Sequence, residues 1–125
     1  MVLLRRWALT ADWLTQPPSW LRCIAATYPI LAPLTDWNVD ARFRPVDAVR
    51  GAGQVPILLT RVGRERAEVT ATVEAFTAAA GAHHVGLEVI DVPHGQHGFD
   101  ILDHTDSSRA AVIQAMEWAT ATLRQ

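Results

Sequence analysis

The sequence predicts a single α/β domain over residues 1–125, with three or more parallel strands in sequential order flanked by helices. Three observations carry that expectation. Short, nearly continuous apolar runs recur along the chain, as strands buried on both faces of a parallel sheet require. Segments with apolar residues at helical spacing alternate with those runs, and such alternation builds a parallel sheet with right-handed crossovers. Polar, glycine-bearing loops follow the second and third runs, at the strand carboxyl ends where open α/β sheets gather their chemistry.

In chain order, "MVLLRRWALTADWL" sets Leu4, Trp7, Ala8, Ala11 and Leu14 on one stripe and predicts a helix over residues 2–15. Arg5 and Arg6 interrupt its apolar residues and no small-residue cleavage site follows, so it does not read as a signal peptide. Pro17 and Pro18 end it. "LRCIAATYPIL" (21–31) is the first expected strand. Residues 32–53 are polar and irregular, with a short helix expected from Pro45, a residue favoured at the first helical position. "VPILLTRV" (55–62) is the second strand. In the helix after it, Val69, Val73, Phe76 and Ala80 share one face and Gly81 is a fitting C-terminal stop. "VGLEVIDV" (85–92) is the third strand. Beyond the loop "PHGQHGFD" (93–100), Asp106 or Ser107 is placed to cap a helix running to about Leu123, with Val112, Met116, Ala119 and Leu123 on one face.

The net charge of −2 offers no broad attraction to nucleic acid or anionic lipid, and the eleven basic residues, all arginine, form no stripe. No apolar run approaches the roughly 18 residues of a membrane span. Cys23 is the single cysteine, so neither an intramolecular disulfide nor a cysteine-based zinc site is available, and a cytoplasmic location is expected. It stands at the start of the first strand, away from the loops, and reads as a buried structural thiol.

A carboxylate after one strand and a histidine after its neighbour can meet. The carboxylate then fixes the imidazole tautomer and leaves the other ring nitrogen free as a base. Glu65 and His97 are the candidates, with Glu68 a neighbouring alternative acid. Gly95 and Gly98 let the loop turn sharply, and Phe99 is placed to pack beneath the ring. His94, His97 and Asp100 raise a zinc reading. The two glycines argue against the helix that short-spaced ligands usually need, so neither metal nor cofactor is expected. His83 and His84 fall at the opposite end of the sheet, in solvent. Trp37, in the loop after the first strand, either lines a substrate pocket or packs at the surface. Asp36, Asp40, Arg42 and Arg44 read as a solvated, salt-bridged surface.

In order and spacing, these segments resemble the C-terminal part of an α/β-hydrolase, close to the dienelactone hydrolase group, over residues 16–124. "WLRCIAATYPIL" is similar to the sixth strand of that fold. "VPILLTRVGRE" is similar to the seventh strand and acid loop, "LEVIDVPHGQHGFD" to the eighth strand and histidine loop, and "DSSRAAVIQAMEWATATLR" to the final helix. The resemblance implies hydrolysis of a small ester or lactone by a nucleophile–His–acid triad. His97 in "GQHGF" falls at the catalytic histidine. Glu65 falls at the acid, usually aspartate, although glutamate serves in some triads of this fold. Trp37 and Phe99 would line the pocket.

The nucleophile of this fold sits earlier in the chain, on a G-x-S-x-G-like turn between strand and helix. No such turn is present. The serines are Ser19, in a proline turn, and Ser107 and Ser108, at the start of the last helix. Dienelactone hydrolases use a cysteine, but Cys23 stands at the wrong end of its strand. The expectation is a partial α/β-hydrolase fold lacking the N-terminal strands and nucleophile elbow, inactive alone. The alternative is a non-catalytic partner or dimerisation module. The first strand leaves an apolar edge open to another chain, either in a homodimer or in a complex with a separately encoded N-terminal half.

Overall fold

The computed structural model describes residues 2–3, 11–38 and 40–125. Among them, four strands form one parallel sheet: β1 (Val2–Leu3), β2 (Ile24–Thr27), β3 (Ile57–Arg64) and β4 (Leu87–Gln96), in the spatial order 1-2-3-4. The helices are α1 (Ala11–Thr15), α2 (Pro45–Ala48), α3 (Ala67–Ala82), α4 (Phe99–Leu102) and α5 (Asp106–Leu123). Strand alternation sends neighbouring residues to opposite faces. Ile24, Ala26, Ile57 and Leu59 pack with Leu14 of α1 and with Val73, Phe76 and Ala80 of α3. Ala25, Leu58, Val62, Ile90 and Val92 pack on the other face with Phe99 of α4 and Ala111 of α5. The expected face of α3 is thus the buried one. Phe76 is wholly buried there, a burial that stabilises the fold by about 2–3 kcal/mol.

The β3–β4 pair sets up the loops. Its register runs Val62 opposite Val92, then Arg64 opposite Gln96, so residues 93–95 of β4 bulge against Gly63 alone. Pro93 brings no N–H to the ladder. At Gly63 a Cβ would lie 1.9 Å from the Pro93 carbonyl oxygen, so only glycine permits this crossing. The bulge restores pairing at Arg64 and Gln96, and the next residue on each strand is Glu65 or His97.

Several boundaries differ from the sequence expectation. Val2 and Leu3 are strand rather than helix, paired with Ile24 and Ala25. The open edge of β2 offers backbone groups that two apolar residues can satisfy. Ala11 and Leu14 lie in α1, whereas Leu4, Trp7 and Ala8 fall outside the described residues. The α3 helix runs through Gly81 to Ala82 and stops at His83 and His84, the latter at φ 55°. Gly81 is exposed inside the last turn, with nothing within 4 Å of a built Cβ. Gly81→Ala is therefore expected to stabilise the protein by about 0.5–1 kcal/mol, read as a higher melting temperature.

The N-cap of α5 is Thr105, one residue before the expected caps, because its hydroxyl reaches the Ser108 N–H at 3.2 Å. The buried face of α5 agrees with the expected one only at Ala119. Ser108, Ala111 and Ala119 are buried, while Val112, Met116 and Leu123 are exposed, Met116 to 61%. Trp118 and Ala115 pack partly against the same core as Ala111, and Val112, Met116 and Leu123 are left outward.

Candidate active site

Glu65 and His97 leave their strands side by side, and His97 Nδ1 lies 2.5 Å from Glu65 Oε2. The Glu65 side chain is 7% exposed, and its other oxygen accepts the Arg66 N–H at 2.9 Å. Both carboxylate oxygens are thus engaged, as a buried charge requires. An ionised acceptor makes the contact a charge-assisted hydrogen bond, of a kind that stabilises by about 1.5–3 kcal/mol. With the Nδ1 proton held there, the neutral ring keeps its lone pair on Nε2. His97 is 37% exposed, and Nε2 has no protein partner among the described residues. The pair can orient a base and leave its working nitrogen open.

Glu68 does not compete. Its carboxylate meets Arg66 at 3.1 Å in solvent. After His97 the chain reverses at Gly98, whose φ of 82° lies in the left-handed region open to glycine. Phe99 then enters α4 and is fully buried in the second core cluster. It does not line the cleft beside His97 as expected, because its side chain is taken up by that core. Its ring instead meets Tyr28 edge-on at 5.9 Å.

Tyr28 is the residue that sequence reading missed. It follows β2, and its ring lies 4.4 Å from the imidazole of His97, tilted by 54°. Its hydroxyl donates to Asp100 Oδ1 at 2.7 Å. Its φ of 42° is left-handed, a conformation that costs a bulky residue about 1–3 kcal/mol and persists only where the surroundings enforce it. The one signal in the sequence was a tyrosine before proline at the carboxyl end of a buried strand.

Beside the pair opens a cleft of about 500 Å³. Ile30, Trp37 and Val69 give it an apolar side, and Arg64, Gln96 and His97 a polar one. The structure therefore brings Trp37 to the same cleft as His97. A second cavity of about 400 Å³ lies behind Glu65, lined by Tyr28, Thr70, Glu74 and the paired Arg61 and Asp91. The Asp91 carboxylate beside Arg61 raises the guanidinium pKa above its ordinary value.

Cys23 is buried just before β2, at the amino end of the strand, and burial pushes its thiol pKa up. A thiol so held is a poor nucleophile. The connection from β1 to α1, residues 4–10, lies outside the described residues, and its sequence "LRRWALT" has no serine or cysteine. His94, His83 and His84 are exposed. Among the described residues no three His, Cys, Asp or Glu side chains gather in a metal-binding group. No described helix is long and apolar enough to cross a membrane. In the loop after β2, Arg42 pairs with Asp40 and Arg44 with Asp47, all exposed, as the solvated reading of that stretch expects.

No family model and no curated protein matches the sequence. Solved structures do match in shape. A protein assigned as a dienelactone hydrolase, from Klebsiella pneumoniae subsp. pneumoniae, is 21% identical with a TM-score of 0.60, over 75% of this chain and 40% of that one. Esterase 2 of Thermogutta terrifontis, phosphoramylated by tabun, is 17% identical with a TM-score of 0.66, over 90% of this chain and 48% of that one. Dipeptidyl peptidase 4 of Porphyromonas gingivalis is 12% identical with a TM-score of 0.64, over 92% of this chain and 18% of that one. This chain thus spans less than half the length of each of these three structures. The likeness is one of fold alone: the chain has, in part, an α/β-hydrolase fold.

Proposed function

We propose that this chain supplies the acid and base of a nucleophile–His–acid hydrolase acting on small esters or lactones. The observation that carries the reading is the 2.5 Å contact of His97 Nδ1 with a nearly buried Glu65, in a His97 that is 37% exposed and lines the cleft. Glu65 holds the tautomer. His97 Nε2 takes the proton of the attacking hydroxyl or thiol, returns it to the leaving alcohol, and then activates water against the acyl intermediate. Trp37 and Ile30 offer an apolar wall for the acyl or alcohol part. The nucleophile and the oxyanion donors come from a polypeptide segment other than residues 1–125, which contain no G-x-S-x-G.

The test is to produce the chain together with the polypeptide encoded immediately upstream of Met1 and to assay short-chain nitrophenyl esters. Hydrolysis that needs both parts and disappears in His97→Ala is the expected result. An upstream sequence with neither G-x-S-x-G nor G-x-C-x-G, or hydrolysis indifferent to His97, overturns the reading.

A second reading is a non-catalytic module, paired with another chain or with its own copy as a homodimer. The outward stripe of α5 favours it: Val112, Ile113, Met116 and Leu123 are exposed, beside Ile101 and Leu102 of α4. Large apolar patches of this kind mark contact surfaces. The two readings separate in the assay above, since only the first demands His97.

A further inference from the structure

We propose that Tyr28 is a positioning residue for His97: its ring seats the imidazole, and its hydroxyl, donated to Asp100, locks that ring in place. The inference rests on the acid–base reading of Glu65 and His97 and adds to it a third element, the end of β2.

Strand alternation would send residue 28 to the face of Ile24 and Ala26. Tyr28 instead packs on the opposite face, with Phe99 and the second core cluster. The left-handed φ of 42° accomplishes this change of aim. The backbone is held there by its N–H, which donates to the Thr60 carbonyl at 2.7 Å. The re-aimed ring contacts His97 at 4.4 Å, and its hydroxyl reaches Asp100 Oδ1 at 2.7 Å. Asp100 lies three residues past His97, on the far side of the Gly98 turn. Tyr28 therefore grips the loop on both sides of the turn, at the imidazole and at Asp100.

An imidazole held only through Nδ1 can still swing about its side-chain bonds. Glu65 fixes one edge of the ring and Tyr28 supports one face, and together they direct Nε2 to the open cleft. A phenylalanine would fill the same space as the tyrosine ring. The hydroxyl bond to Asp100 is what sets the ring against the loop, so the oxygen has a separable effect.

The test is the tautomer of His97, read from its ring ¹⁵N chemical shifts in the purified chain at alkaline pH, where imidazoles are neutral. The wild-type chain should show the Nδ1–H form dominant, against the Nε2–H preference of a free imidazole. Glu65→Ala should reverse it. Tyr28→Phe and Asp100→Ala should each lower the ratio of Nδ1–H to Nε2–H about two- to tenfold, the effect of one hydrogen bond in a network. The double variant should lower it no further. Tyr28→Ala should go further than either, with backbone amide spectra confirming the fold, and if it fails to fold the two single-contact variants decide. Unchanged ratios in Tyr28→Phe and Asp100→Ala, with Glu65→Ala responding, overturn the role of Tyr28 and leave Glu65–His97 standing. A wild-type ring in the Nε2–H form, or one indifferent to Glu65→Ala, instead removes the acid–base reading itself.

Discussion

Gly63→Ala is expected to destabilise the protein by about 3 kcal/mol or more, a large share of the roughly 5–15 kcal/mol that holds a domain of this kind together. The added Cβ would stand 1.9 Å from the Pro93 carbonyl oxygen, 2.6 Å from its carbon and 2.9 Å from its Cα. All three are backbone atoms, so no rotamer change relieves the clash. The strands must separate or slip where the register changes. A slip there moves Arg64 off Gln96 and carries Glu65 away from His97. Urea denaturation measures the loss, and the amide spectrum of β3 and β4 locates it. A melting temperature within a degree or two of wild type would show that the bulge is softer than its geometry indicates. Gly81→Ala is the matched control, since the same chemical change there meets open space.

The second large effect concerns catalysis once a nucleophile is supplied. Glu65→Gln is expected to lower kcat/KM for a nitrophenyl ester by about 10²- to 10⁴-fold, the range seen when a triad acid becomes an amide or a general base is lost. The amide can present N–H to Nδ1 instead of accepting from it. The proton then moves to Nε2, and the nitrogen facing the cleft can no longer accept one. Stability should change far less than rate, because the amide keeps the volume of the carboxylate in its nearly buried position. His97→Ala should match or exceed the loss, and combining the two should add little, since they act as a unit. Additive losses would mean that the two side chains work separately.

The sequence made the strands legible because parallel strands buried on both faces leave uninterrupted apolar runs. "VPILLTRV" is nearly such a run, whereas "VGLEVIDV" is interrupted by the exposed Glu88 and Asp91 of the half-exposed β4; both lie within two to four residues of the observed β3 and β4 limits. Glu65 and His97 were legible for a related reason: each stands just past an apolar run, so topology alone brings them to one edge of the sheet. The last helix was misread because hydrophobicity favours its larger side chains. Ser108, Ala111 and Ala119 are buried there and Trp118 packs against the same core, so the buried face is set by what each side chain meets across the helix–sheet contact. No pattern along the chain encodes those contacts. The pocket-lining role expected of Phe99 failed for the same reason, its burial being decided by what stands opposite it.

The sequence by itself determined an α/β sheet of sequential parallel strands, the pairing of a loop carboxylate with a loop histidine, and the absence of a G-x-S-x-G turn from residues 1–125. These follow from local periodicity and residue chemistry. Only the tertiary structure decided that Glu65 rather than Glu68 meets His97, that a bulge over Gly63 aligns them, and that Tyr28 turns through a left-handed φ to support the imidazole. Each of these depends on the register between strands and on contacts across long stretches of chain, which exist only once the sheet has closed around them.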